Sequence, residues 1–548
     1  ALRRVTVRSP TLARRWAIAA AAARMTKLLC LRPGAALRPW QGLSLEEAVQ
    51  CRGAWLSLPV GQGKTLTAEL LPVVLKAKRA VLILPASLRN KTYADRRAFV
   101  GVWRVASPPP RLISREELAI EANAYLLDEI KPDLIIIDEA HKLRNRDASA
   151  VKRIDRYLRA NPDTMVVTMT GTPTRRSILG YWHHLRWTLG DGAPVPAALA
   201  DAEEWAAALD DANPRAGFRP APGALGETLD DAREWYRRRL AETPGVVIVD
   251  EDSAGDIPLT LRVELAPECP RISEAFDTLR TKWESPGGEP ISDALSLLRV
   301  DGQIGSGLYT YWDPPPPQRW IDGRRTIAAF IRKRCAETQH SKQPLDTDAQ
   351  VIAAHPEHPA VKGWLAVKDM FDTERAGRVK WISDATLNAA VAWARASRAP
   401  SVLWTGSVEF GDRLALAAKL PYYGPQGKEV RTGQELHAAD VSKSMVCSWH
   451  ACREGQNLQA WRRQAIFQPP QSAEALEQIF GRAHRAGQTE PVHITYFATS
   501  GGTLDSFAAS ISEAEFAKTT ASSTQKILRA TIEPLPTPPD SLRWTTKQ

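Results

Sequence analysis

The chain has 548 residues, 44% of them hydrophobic and 24% charged; at about 100–200 residues per domain it holds roughly three or four structural units. That balance excludes global disorder and a bulk acidic or low-complexity protein. Its 72 Lys and Arg against 62 Asp and Glu give +10, which permits a polyanionic partner without requiring one, because the excess is thin over so large a surface.

Residues 1–45 contain no Asp or Glu, and Arg3, Arg4, Arg8, Arg14, Arg15 and Arg24 surround the run Ala19 to Ala23. This composition resembles an organelle transit peptide; a disordered basic arm or an over-extended reading frame fits it equally, so residues 1–36 are set apart from the expected fold. No run of about 18 apolar residues occurs, so no membrane span is expected. The six cysteines, at 30, 51, 269, 335, 447 and 452, form no Cys-x-x-Cys pair and no zinc spacing. A disulfide framework or structural zinc is not expected, and a reducing compartment is.

From Leu37 the sequence reads as α/β. Val81-Leu82-Ile83-Leu84, Leu134-Ile135-Ile136-Ile137 and Val166-Val167-Thr168-Met169 are short apolar runs of the kind buried on both faces of a parallel sheet. Thr65 to Ala77 and Ala148 to Arg159 fit the intervening helices. Residues 191–230 turn rich in Ala, Pro, Gly and Asp, with a helical stretch at 202–209. Residues 282–320 and 341–360 read as loops, the former ending in the extended run Pro314 to Pro317. The α/β pattern returns near Trp381, with strands expected at Ser401–Trp404 and Val492–Phe497. The expected division is a first lobe at 37–190, a largely helical insertion at 191–375, a second lobe at 376–500 and a polar tail at 501–548.

Two patterns carry chemistry in the first lobe. Pro59-Val60-Gly61-Gln62-Gly63-Lys64-Thr65 lies between the apolar Ala54–Leu58 and a helix. Backbone N–H groups of a glycine-rich loop at a helix N-terminus can cradle phosphates, with Gly61 and Gly63 shaping the loop. Lys64 would then reach the β- and γ-phosphates and Thr65 would coordinate Mg²⁺; the alternative is a simple turn. The second pattern is Asp138-Glu139-Ala140-His141, at the carboxyl end of an expected buried strand, where ligands bind in open α/β sheets. Asp138 would hold Mg²⁺ and Glu139 would position or deprotonate an attacking water.

Asp-Glu-Ala-His, followed by Lys142-Leu143-Arg144-Asn145, resembles motif II of superfamily-2 helicases, most nearly the Snf-type branch of chromatin-remodeller-like DNA translocases. Further segments follow in family order. Leu37-Arg38-Pro39-Trp40-Gln41 resembles the segment whose Gln, here Gln41, recognises adenine. Leu84–Leu88 resembles motif Ia, Leu112–Glu116 motif Ib, and Thr170-Gly171-Thr172-Pro173 motif III. In the second lobe Leu403–Ser407 resembles motif IV. Glu454-Gly455-Gln456-Asn457-Leu458-Gln459 resembles motif V, with Cys452-Arg453 where the family carries Gly-Gly. Gln478-Ile479-Phe480-Gly481-Arg482-Ala483-His484-Arg485-Ala486-Gly487-Gln488 resembles motif VI over its whole length. The spacing of Gln478, Arg482 and Arg485 lets one helical face present all three, and guanidiniums aimed across a cleft can neutralise charge on a transferring phosphoryl group. Gly481 inside that helix implies a packing or functional reason.

The resemblance implies two RecA-like lobes, each a parallel sheet flanked by helices, with ATP and Mg²⁺ as cofactors. It implies a motor moving on nucleic acid, with duplex DNA as the expected partner, bound without sequence specificity, and no membrane. Ser87, Arg89, Ser114, Thr405 and Ser407 are the candidate phosphate-backbone contacts. The short form of 424–446 resembles the small translocases of phage and bacterial genomes, which implies the cytoplasm of a bacterial or phage-infected cell; a nucleus or organelle is also compatible. A strand-separating DNA or RNA helicase and a nucleotide-gated binding switch are the alternatives. A nuclease finds no metal-binding cluster outside these motifs, and no accessory segment points to a nucleosome.

Overall fold

Alternate residues of the apolar runs are buried on opposite faces of a parallel sheet. In the computed structural model Leu82, Leu84, Ile136 and Val167 enter one core while Val81, Ile83, Ile135 and Ile137 enter another. The structure describes residues 13–210, 229–338, 345, 348–452 and 456–536. Arg3, Arg4 and Arg8, part of the 191–230 and 341–360 stretches, Glu454 and Gly455 of the motif V segment and the end of the tail lie outside the described residues.

The chain divides into two compact units, the first made of 1–257, 477–489 and 511–529 and the second of 258–476, 490–510 and 530–548. The first holds β1 (Gly53–Ser57), β2 (Ala80–Leu84), β3 (Arg111–Ser114), β4 (Leu134–Ile137), β5 (Met165–Thr170) and β6 (Val246–Ile248) in the order β3-β2-β4-β5-β1-β6, all parallel. The second holds β7 (Leu259–Leu265), an antiparallel pair β8 (Leu308–Trp312) and β9 (Gly377–Trp381), then β10 (Ser401–Thr405), β11 (Tyr422–Tyr423), β12 (Met445–Ser448), β13 (Arg463–Ile466), β14 (Val492–Ala498) and β15 (Thr531–Ile532). Its main sheet runs β11-β12-β10-β13-β14-β7-β15, again all parallel. The fold is thus α/β with two parallel sheets flanked by helices, as expected. Among the described residues no helix is long and apolar enough to cross a membrane.

Several segments differ from the sequence reading. β6 and β7 both fall inside 191–375, the expected insertion, and each completes one of the two sheets. β7 alternates buried Leu259, Leu261 and Val263 with more exposed Thr260, Arg262 and Glu264, because only a two-residue strand lies beyond it. The expected loops at 282–320 and 341–360 contain the helices Ala294–Gly305 and Asp348–Ala354 and the strand β8.

The N-terminal segment set apart from the fold and the expected polar tail are also structured over their described residues. Residues Ala13–Leu29 form a helix whose alanine face meets the helix Pro39–Cys51 so closely that a side chain at Gly42 would overlap Ala22. Arg24 pairs with Glu46 at 2.8 Å. In place of a polar tail, Gly501–Ala521 is a helix burying Phe507, Ala514, Phe516 and Ala517. Its hydroxyls return to carbonyls one turn back, Ser506 to Gly502 O and Ser510 to Ser506 O at 2.8 Å each, so a polar composition is buried without unmet donors.

Candidate active site

Strand order brings the first-unit motifs together. β5 lies between β1 and β4, with Ser57 opposite Thr170 and Ile137 opposite Thr168. The loops after β1, β4 and β5 therefore emerge side by side at the carboxyl edge of one parallel sheet, where ligands bind in such folds.

The glycine loop takes backbone angles that L side chains rarely adopt, φ 92° at Gly61 and 80° at Gly63, and Gly63 caps the helix Lys64–Val74. A side chain at Gly63 would also collide with Gln41, whose Nε2 would lie 2.4 Å from the added carbon. Gln41 is buried and donates from Nε2 to Gly63 O at 3.1 Å, while its Oε1 accepts from Arg38 N at 2.9 Å. Arg38 donates to Gly61 O. Lys64 Nζ donates to Leu58 O at 3.2 Å and lies 3.6 Å from Glu139 Oε1. Thr65 is half-buried in the first turn of the same helix.

Asp138 and Glu139 follow β4 directly. Burial, followed by the neighbouring Glu139 charge, raises the Asp138 carboxyl from its ordinary value to about 6; a divalent cation there would favour the ionised form. Glu139 sits in the left-handed region, φ 50°, with its N–H donating to Asp138 Oδ1 at 2.9 Å. Its Oε2 lies 3.4 Å from His141 Nδ1, and that nitrogen is 3.0 Å from Thr170 Oγ1. Thr170 Oγ1 also accepts from Thr172 N at 3.1 Å. The motif II and motif III segments are thus joined through His141 and Thr170.

Residues 477–489 pack within the first unit, so this part of the motif VI segment leaves the second lobe as bounded at 376–500. The physical reason is a close approach: a carbon added at Gly481 would lie 3.0 Å from Val60 Cγ1 in the glycine loop. Gly481→Val is accordingly expected to overpack this contact and cost about 1–3 kcal/mol, read as a lowered Tm. The helix ends at Ala483, so Arg485 lies beyond it and does not share a helical face with Gln478 and Arg482. Arg485 reaches the loop nonetheless: its Cβ would lie 3.6 Å from a carbon added at Gly61. Burial, and then the charge of Arg38, hold the Arg485 guanidinium below its ordinary value. Arg482 is buried and donates from Nε to Gln478 O at 3.0 Å. Gln478 is buried as well.

No protein-family model matches the chain, and no curated protein matches it.

The assignment of this site rests on its own residues. Lys64, Asp138, Glu139, Gln41 and Arg485 converge on the glycine loop and the carboxylates beside it. Arg38 joins them, although sequence reasoning singled out only Gln41 from that segment; its place just before Pro39 at a helix start was the available signal. The candidate nucleic-acid contacts are more scattered. Ser87 is exposed, and Arg89 is half-buried and ion-paired with Glu117. Ser114 is buried as the cap of the helix Arg115–Ala119, accepting from Glu117 N at 3.0 Å. In the second unit Thr405 is fully buried, and Ser407 caps the helix Val408–Ala418 while its N–H donates to Gln468 Oε1 at 2.8 Å. As placed, Ser114 and Thr405 do not offer their hydroxyls to a polymer, because both are enclosed at strand ends.

Proposed function

We propose that the chain is a Mg²⁺-dependent, nucleic-acid-stimulated ATPase of the superfamily-2, Snf-type kind, a motor that couples hydrolysis to movement along duplex DNA. The observation that supports it most is the meeting of a phosphate-cradling glycine loop, an adjacent Asp138-Glu139 pair and Arg485 at one sheet edge. A plain binding site needs the loop and Lys64; it does not need a carboxylate placed between Lys64 and His141, as Glu139 is.

The roles follow from the chemistry of each group. The loop N–H groups and Lys64 hold the phosphates, and Arg38 and Arg485 add two positive groups beside Gly61. Mg²⁺ held by Thr65 and Asp138 would neutralise charge on the phosphates. Glu139 takes the proton of the attacking water, and its position is fixed from both sides by Lys64 and His141. Gln41, tied to Gly63, would couple base recognition to the loop.

On the polymer side, contacts are expected to the phosphate backbone rather than to base edges, with the exposed Ser87 as a candidate. Binding is therefore expected to be independent of sequence, with log K falling linearly as log salt rises. Titrating unrelated labelled duplexes at several salt concentrations checks this. Equal affinities and a common negative slope are expected, whereas a base-specific preference that persists at high salt contradicts it. The nucleotide assignment is tested by binding of a fluorescent ATP analogue: Lys64→Ala should abolish it, and undiminished binding would remove the glycine loop from the site.

A further inference from the structure

The segment after β6 runs beside the glycine loop and is held to it at two points and to the helix Pro39–Cys51 at a third. Ser253 Oγ donates to Val60 O at 2.9 Å, Gln62 Nε2 donates to Glu251 O at 3.4 Å, and Trp40 Nε1 donates to Glu251 Oε2 at 3.0 Å. Asp252, between these residues, also reaches a different part of the chain. Its Oδ1 accepts from Lys526 Nζ at 2.7 Å and from Ala254 N at 2.9 Å.

The same ammonium lies 3.2 Å from His484 Nδ1. An ammonium only donates, so Nδ1 is the ring acceptor and Nε2 carries the hydrogen; Nε2 donates it to Ile257 O at 2.6 Å. The Lys526 backbone N–H donates to Glu477 Oε2, also at 2.6 Å. Lys526, His484 and Glu477 are buried, and the Asp252 side chain is 8% exposed. One residue of the segment following the helix Gly501–Ala521 thus joins the strap beside the glycine loop, the motif VI helix and the residue immediately before Arg485.

Arg485 lies past the end of its helix, so helical hydrogen bonds alone do not fix its direction. The His484 ring, one residue before it, is bonded on both nitrogens. A packed apolar side chain could anchor the segment at lower desolvation cost; a charged and hydrogen-bonded centre specifies a direction as well as a contact. We propose that Lys526 is a positioning residue for ATP hydrolysis, acting through His484 and Asp252 to set Arg485 and the glycine loop at their working separation. The inference rests on the reading of the loop as an ATP site.

The test separates turnover from binding. Lys526→Met alone would leave Asp252 buried without its cation, so Lys526→Met is combined with Asp252→Asn, which removes both charges together. His484→Phe is the second variant; it keeps the Lys526–Asp252 pair and removes both ring hydrogen bonds. For each, Tm, the Kd of a fluorescent ATP analogue and kcat with saturating duplex DNA are measured on the full chain. The expected result is a Tm and Kd close to wild type with kcat lowered roughly 10- to 100-fold, the scale of a displacement of about 1 Å at a reacting centre. A folded variant of either kind with wild-type kcat overturns the proposal, and so does a kcat that falls only in step with Tm and affinity. A wild-type chain that binds and hydrolyses no ATP overturns the underlying ATP assignment instead, which the wild-type measurement alone reveals.

Discussion

Arg485→Ala is expected to retain nucleotide and DNA binding while losing DNA-stimulated turnover, by about 10³–10⁵ if its role is that of a complete arginine finger. The basis is its position and its neighbours. Arg485 sits beside Gly61, on the loop that Arg38 touches through Gly61 O. Burial and the Arg38 charge both disfavour its positive charge in the protein alone, and a phosphate group held by the loop would favour it. Binding survives because Lys64, Arg38 and the loop amides remain. A smaller loss is expected if Arg482 substitutes in part, but Arg482 is buried with its Nε committed to Gln478 O. Single-turnover hydrolysis at saturating duplex DNA measures the effect. Near-normal stimulation in Arg485→Ala would contradict the role.

The second large effect belongs to Glu139. Glu139→Gln keeps the shape of the side chain and removes its basicity, so nucleotide should still bind while turnover falls by about 10²–10⁴, the usual contribution of a general base. Removal of the charge also relieves Asp138, whose carboxyl Glu139 pushes upward, so Mg²⁺ and nucleotide affinity should be preserved or improved. Parallel equilibrium binding and phosphate-release measurements check both halves. Hydrolysis at the wild-type rate by Glu139→Gln would show that this carboxylate does not activate water.

Much of the first unit was legible because its signals are local. Val81–Leu84, Leu134–Ile137 and Val166–Met169 are continuous apolar runs, and burial on both faces of a parallel sheet is what produces such runs. The glycine loop and the Asp138-Glu139 pair were legible because their chemistry is written in consecutive residues. β6 escaped because three residues give no periodicity; in β7 the alternation of Leu259, Leu261 and Val263 was a strand signal, passed over when 191–375 was read as a helical insertion. The helix Gly501–Ala521 escaped because it is buried over much of its surface by alanine and self-satisfied Ser and Thr, which leaves no amphipathic stripe. The neighbours of the site were hidden for another reason. Asp252, His484 and Lys526 are far apart in sequence and are joined only by folding, so no spacing rule could bring Lys526 forward.

The central claim is that this site hydrolyses ATP in response to a nucleic-acid track. Steady-state phosphate release with Mg²⁺ and ATP, measured without polymer and with duplex or single-stranded DNA, tests it most directly. The predicted result is slow release alone, a marked rise with duplex DNA, and loss of both in Lys64→Ala. Release that never exceeds the Lys64→Ala background with any polymer, or that is unchanged when DNA is added, would contradict the account.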